Sequence, residues 1–172
     1  ALLDRDGVYG APRFHQAARK AGIKGIIGAE LTLSVNSGGR WNSGAGPQGY
    51  GVHAEPRLLV LPVLVENQQG YRNLCRLVTR MKLRSPKGEG SLSLDELDGH
   101  TSGLVALVGR AALNARRFGV GGLVDRIVGI FGAKNTRIEL QRHLLREEEA
   151  DNAALRDLAS AFHVPVIATN GV

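Results

Sequence analysis

The chain has 172 residues, a length typical of one domain, and 22 Lys and Arg against 16 Asp and Glu give it a net charge of +6. No apolar run approaches the ~18 to 20 residues of a membrane-spanning helix. The single cysteine, Cys75, excludes an internal disulfide framework and a CxxC zinc site, and it favours a reducing, cytoplasmic setting. The chain opens on an apolar run without an initiator Met, so we expect one domain, residues 1–172, taken from a longer protein.

The first third of the sequence predicts a strand, a helix and a second strand. Residues 1–4 are an apolar run that ends in the turn Arg5-Asp6-Gly7. Apolar residues at helical spacing begin after Gly10, and Gly22 is placed to end that helix. The next strand is predicted at 26–33. Six glycines between positions 34 and 51 then predict a flexible excursion.

The middle of the sequence predicts a buried strand and then an amphipathic helix. Residues 58–65 are apolar throughout, but Pro62 lacks an N–H and should break the strand or place it at a sheet edge. The helix should end before Pro86. Its predicted core side is the helically spaced set Tyr71, Leu74, Cys75, Val78 and Met81.

The last part of the sequence predicts further alternating elements. A capping box from Ser93 to Glu96 opens a short helix. Strands are predicted at 103–109, 136–141 and 164–169, and helices are predicted around 123–131 and up to Phe162. About six strands interleaved with helices indicate a parallel sheet or an incomplete barrel. A complete eight-fold barrel needs ~250 residues, more than this chain has.

Polar residues at the predicted strand ends are the candidates for chemistry, because such ends converge in parallel α/β sheets. Carboxylates and a histidine among them could bind a metal ion. The alternative is that they are ordinary turn and cap residues. The set comprises Asp4, Asp6, Glu30, Arg110, Glu139, Gln141, His143 and Asn170.

Several stretches resemble a known family. The segment ALLDRDGVYGAPRFHQAARKAGIKGIIGAELTL resembles the second-motif region of the PHP (polymerase and histidinol phosphatase) domain of bacterial DNA polymerase III alpha subunits. The segment VLPVLVENQQGYRNLCRLVTRMKLRSPKGEG is similar to the next region of those subunits, above all in the error-prone, translesion type, and RIELQRH and PVIATNGV come in the expected order. The resemblance implies a distorted (β/α)7 TIM-like barrel of the PHP type, incomplete here because its first strand is missing.

The resemblance also implies a metal site, since active members hold up to three metal ions, Zn or Mn/Mg, and hydrolyse phosphoesters. Glu30 in GAE, His143 in ELQRH and Asp4 match retained ligand positions. Lost ligand positions are occupied by Arg5, Arg57 and Gly171. A guanidinium cannot donate a lone pair to a metal. We therefore hypothesise a degenerate site in which arginines pair with Glu30 or Asp4.

The sequence supports three hypotheses about function. The favoured one is a non-catalytic scaffold within an error-prone DNA polymerase III alpha subunit, with no catalytic residue or cofactor assigned and with DNA and the rest of the polymerase as partners. The second is an active metal-dependent phosphoesterase or 3′–5′ exonuclease. The third is a basic nucleic-acid-binding module, and its candidate residues are Arg72, Arg76, Arg80, Arg84 and Lys87. The alternative for these residues is a charged helix face that only contacts solvent.

Overall fold

The computed structural model describes residues 1–35, 57–86, 88–113 and 121–170. The strands of these ranges are β1 Leu2–Arg5, β2 Ile27–Val35, β3 Arg57–Val65, β4 Leu92–Ser93, β5 Leu104–Val108, β6 Thr136–Gln141 and β7 Val166–Thr169. The helices are α1 Ala11–Lys20, α2 Gln68–Arg84, α3 Arg110–Leu113, α4 Gly122–Phe131 and α5 Arg146–Ala161, with short 3-10 helices at Leu94–Leu97 and Ala133–Asn135. Most of the predicted excursion, from residue 36 onward, lies outside the described residues. None of the described helices is long and apolar enough to cross a membrane.

The strands form one curled, half-barrel sheet in the order β1-β2-β3-β5-β6-β7, with β4 paired to β2. The predicted α/β class is confirmed, and the predicted missing first strand stays a prediction. Of the two predicted arrangements, the incomplete barrel is compatible with this sheet, whereas a parallel sheet describes it only in part, because β3 runs antiparallel to both β2 and β5. Parallel neighbours need a long crossover, usually a helix. The sequence between β2 and β3 is rich in glycine and has no helical periodicity.

Pro62 does not break β3, so the predicted break is wrong, but Pro62 lies where β3 has a ladder partner on one side only, as at a sheet edge. Strand β3 pairs with β2 on one side, where Pro62 faces Glu30, and with β5 on the other. The pairing with β5 begins only at Val63. The missing N–H of Pro62 therefore leaves the β3–β5 ladder intact.

The hydrophobic core lies on one face of the sheet. Alternate residues of β2 and β3 point into it, and α2, α4 and α5 cover it, as expected for the pleat of a half-buried sheet. Leu74 and Met81 of α2 are fully buried as predicted. Leu77, which was not in the predicted core set, is fully buried. Tyr71, which was in that set, is 36% exposed. The packed side of α2 is thus rotated from the predicted one.

The start of α2 is fixed by close backbone packing. Asn67 caps the helix by accepting a hydrogen bond from the Gly70 N–H at 3.0 Å. A Cβ on Gly70 would lie 1.8 Å from the carbonyl oxygen of Gly103, which itself has φ +75°. Glycine is therefore required at position 70 for α2 to approach the turn before β5.

Candidate functional site

The turn after β1 is fastened to β2 by Asp6. The Asp6 N–H donates to the carbonyl oxygen of Glu30 at 2.9 Å. Its carboxylate accepts the N–H and the hydroxyl of Thr32, each at 2.7 Å. Asp6 has φ +50°, a left-handed conformation that aspartate tolerates better than most residues. These bonds fix the backbone immediately after Arg5.

Arg5 reaches across to Glu30, as the hypothesis of an arginine–carboxylate pair requires. Its Nη1 lies 3.5 Å from Glu30 Oε2, and its Nε–H donates to Thr32 Oγ1 at 3.1 Å. The two side chains are 51% and 42% exposed. Such an exposed pair stabilises the fold by at most about 1 kcal/mol. Its chemical effect is larger, because it places a permanent positive charge beside a carboxylate that would otherwise be free to bind a cation.

Asp4 has a structural partner of its own. Its Oδ2 accepts a hydrogen bond from the Gly10 N–H at 2.7 Å, just before α1 begins. A carboxylate at this position also interacts favourably with the positive end of the helix dipole. Asp4 therefore fastens the β1–α1 connection, as expected for the turn-and-cap alternative.

Arg57 and Gly171 are the other two positions where the resemblance predicts a lost ligand. In the sheet, Arg57 lies far from Arg5. Arg57 begins β3 and pairs in register with Val35, whereas Glu30 pairs with Pro62. Five residues along a strand correspond to ~16 Å, so the backbone register separates Arg57 from the Arg5–Glu30 pair. Gly171 lies outside the described residues.

His143 lies in the β6–α5 loop and is held by Glu148. Its Nδ1–H donates to Glu148 Oε1 at 2.7 Å, and its backbone N–H donates to Oε2 at 2.6 Å. Glu148 is only 2% exposed. The hydrogen bond from His143 is the main reason that the pKa of the Glu148 carboxyl is lowered. Arg110 also approaches Glu148, at 3.7 Å, and it pairs with Asp151 at 2.7 Å.

The ends of β6 and β7 do converge as predicted. The Thr169 hydroxyl donates to Glu139 Oε1 at 2.6 Å, and Gln141 Nε2 lies 3.4 Å from the same hydroxyl. The polar side chains at the ends of β6 and β7 therefore bond to one another. The sequence reasoning named Glu139 and Gln141 but missed Thr32 and Glu148. No capping-box pattern marks Glu148, because the N-cap of α5 is Leu145, whose side chain cannot accept a hydrogen bond; of the two capping-box hydrogen bonds, only that from the Leu145 N–H to Glu148 forms, at 3.3 Å.

The retained candidates do not fit a metal cluster. Within residues 1–35, 57–86, 88–113 and 121–170, no three His, Cys, Asp or Glu side chains are grouped so that they could hold a metal ion. Asp4 accepts from Gly10, Glu30 pairs with Arg5, and His143 pairs with Glu148. A cation at Glu30 would also meet the Arg5 guanidinium. Among the described residues, each of the three retained candidates thus has a protein partner.

The basic residues of α2 are not equivalent. Arg84 pairs with Glu96, donating from Nη2 to Oε2 at 2.8 Å, and also bonds the Ser91 carbonyl. This pairing, together with the Ser93 N–H, lowers the pKa of Glu96 to about 2. Arg84 was one of the nucleic-acid-binding candidates, and in the folded chain it has a carboxylate partner from the Leu94–Leu97 turn. Lys87 lies outside the described residues.

Comparison with known proteins identifies the family. A family model described as the PHP domain matches residues 1–162. The chain belongs to the PHP domain family. This PHP domain is 35% identical over 184 aligned residues to an error-prone DNA polymerase of Mycolicibacterium paratuberculosis, covering 99% of the chain and 15% of that protein. It is 32% identical to an error-prone DNA polymerase of an Anaeromyxobacter species, covering 100% of the chain and 14% of that protein.

A third relative has a different name. The DNA polymerase III subunit alpha of Thermus aquaticus is 29% identical, and the alignment covers 99% of this chain and 14% of that protein. The PHP domain thus spans about one seventh of the length of these relatives. Both types of polymerase named by the resemblance are represented among them.

Proposed function

We propose that this PHP domain is part of an error-prone DNA polymerase III alpha subunit and serves there as a folded scaffold without metal-dependent catalysis. The parent chain would perform DNA-directed synthesis, including synthesis past damaged bases, and its partners would be DNA and the rest of the polymerase. The relatives named error-prone DNA polymerase support this parent. The single observation that carries the scaffold role is the Arg5–Glu30 pair.

The pair supports a scaffold for two reasons. First, Arg5 stands at the position where the family resemblance expects a ligating histidine, and a guanidinium offers no lone pair. Second, Glu30 stands at one of the retained ligand positions, and it already has a cationic partner at 3.5 Å. The same contacts fasten β1 to β2, which is a structural role that needs no metal.

The test uses the full-length protein that carries this domain, since ligands from outside the described residues would then be present. The purified protein is loaded with Mn or Zn, freed of excess metal, and analysed for bound metal. Release of nucleotides from a 3′-labelled DNA strand is measured in parallel. We expect metal content well below stoichiometric and no release that depends on Glu30.

The variant Glu30→Gln is the control, because it removes a carboxylate while preserving size. Nucleotide release that is equal in the native protein and in Glu30→Gln would come from a contaminating nuclease. Stoichiometric Mn or Zn, together with release that Glu30→Gln abolishes, would overturn the proposal. That result would establish the metal-dependent 3′–5′ exonuclease instead.

A further inference from the structure

Arg72, Arg76 and Arg80 form an exposed basic surface on α2, here called the α2 arginine surface. They are spaced four residues apart, and α2 contains no Asp or Glu. Successive members therefore lie ~6 Å apart along the helix axis. The opposite side of α2 is packed into the core through Leu74, Leu77 and Met81.

Helix geometry explains why the fourth arginine does not belong to this surface. Four residues advance an α-helix by about 400°, so each arginine lies ~40° further round than the one before. Arg72 lies on the outer side of α2, and the row slants toward the packed side as it proceeds. Arg84 consequently reaches the Leu94–Leu97 turn, where Glu96 binds it.

The three remaining arginines have no carboxylate partner within the described part of the chain. The Nη2 of Arg80 lies 3.0 Å from the ring nitrogen Nε2 of His100, which is not a carboxylate. Like charges four residues apart destabilise a helix. An anionic ligand along the α2 arginine surface would relieve that repulsion.

We propose that the α2 arginine surface binds the phosphate backbone of a nucleic-acid strand. Arginine is suited to phosphate because its planar guanidinium donates two parallel hydrogen bonds. Because the three arginines are spaced ~6 Å apart along the helix axis, their guanidinium groups could contact successive phosphates of one strand. The net charge of the chain, +6, also attracts a polyanion such as a nucleic-acid strand. Binding here needs neither a metal nor the Arg5–Glu30 pair, so this proposal and the scaffold proposal can fail separately.

The experiment uses the 172-residue chain, because other parts of a polymerase would bind DNA themselves, and the chain has its own buried core. Fluorescence anisotropy with a labelled single-stranded DNA oligonucleotide gives the affinity between about 50 and 200 mM salt. Arg72→Gln/Arg76→Gln should weaken binding and reduce the slope of log K against log salt by about 1.4. The same measurement with a duplex distinguishes strand from duplex binding.

Two further variants control for charge and fold. Arg13→Gln/Lys24→Gln removes the same charge from exposed positions outside α2 and should bind as the native chain does. Arg72→Lys/Arg76→Lys keeps the charge and should retain most of the salt dependence. Circular dichroism spectra of all variants check that each is folded.

Three results would overturn the proposal. The first is that the native chain does not bind either DNA at low salt. The second is that the α2 variant and its control lose the same affinity, which would indicate a diffuse charge effect. The third is that polyglutamate competes as well as DNA at equal charge, which would indicate nonspecific attraction to polyanions.

Discussion

Glu96→Gln is predicted to destabilise the fold, because Glu96 joins the end of α2 to the Leu94–Leu97 turn. Its carboxylate accepts from Arg84 and from the Ser93 N–H at 2.8 Å each, and these hydrogen bonds lower its pKa from 4.5 to about 2. The full pKa difference would correspond to at most ~3 kcal/mol. The side chains of Arg84 and Glu96 are 43% and 22% exposed, so solvent screens the pair, and we expect about 1 kcal/mol.

The pH dependence of this effect has a definite sign. Because the folded-state pKa of Glu96 lies below its ordinary value, the stabilisation is fully present above about pH 4.5 and is lost as the pH falls toward 2. Thermal unfolding of native chain and Glu96→Gln should therefore differ by ~2 to 4 °C at pH 7. The difference in unfolding free energy should shrink to less than half of its pH 7 value by pH 3.

The neighbouring Asp95 provides the control. Asp95 pairs with Arg126 at 2.6 Å, but its side chain is 85% exposed, so Asp95→Asn should change stability by less than about 0.5 kcal/mol. Equal stability of native chain and Glu96→Gln at pH 7 would refute the reasoning, as would a difference that is the same at pH 3 and pH 7.

Gly70→Ala should destabilise by about 1 to 3 kcal/mol in chemical denaturation, because its Cβ would meet the Gly103 carbonyl. Gly129→Ala, in α4 with nothing within 4 Å, should instead stabilise by ~0.5 to 1 kcal/mol, and a loss there would contradict this. Glu148→Gln should lower the unfolding temperature at neutral pH and speed amide exchange of His143, because Glu148 binds both its N–H and its ring. Since the folded pKa of Glu148 is lowered, the temperature difference should fade as the pH falls, and a difference that grew in acid would count against this role.

The candidate site was predictable only in part. Arg5 could be singled out from the sequence because it stands in a motif where the resemblance expects histidine. Its contact with Glu30 depends on the parallel pairing of β1 with β2, in which Arg5 and Glu30 are direct partners. Thr32 completes the arrangement from the same strand, two residues on, and no local pattern marks it.

Local interactions allowed the sequence by itself to determine most elements of this protein. Apolar patterns predicted α1, α2 and the strands other than the two-residue β4, and the Ser93–Glu96 capping box predicted a short helix that the structure confirms as a 3-10 helix. These features depend on residues within a few positions of one another, so their signals are present in the primary structure.

Only the tertiary structure decided which way β3 runs, which side of α2 is packed and which arginines are paired. Each of these depends on groups far apart in the chain: β3 is aligned by β2 and β5, and Arg84 is neutralised by Glu96 twelve residues later. Contacts of this kind form only when separate elements pack together, because burial and ion pairing depend on the distance between groups in space and not on their separation in the sequence. The even row of arginines in the sequence is therefore divided, in the folded chain, into an exposed group of three and one structural ion pair.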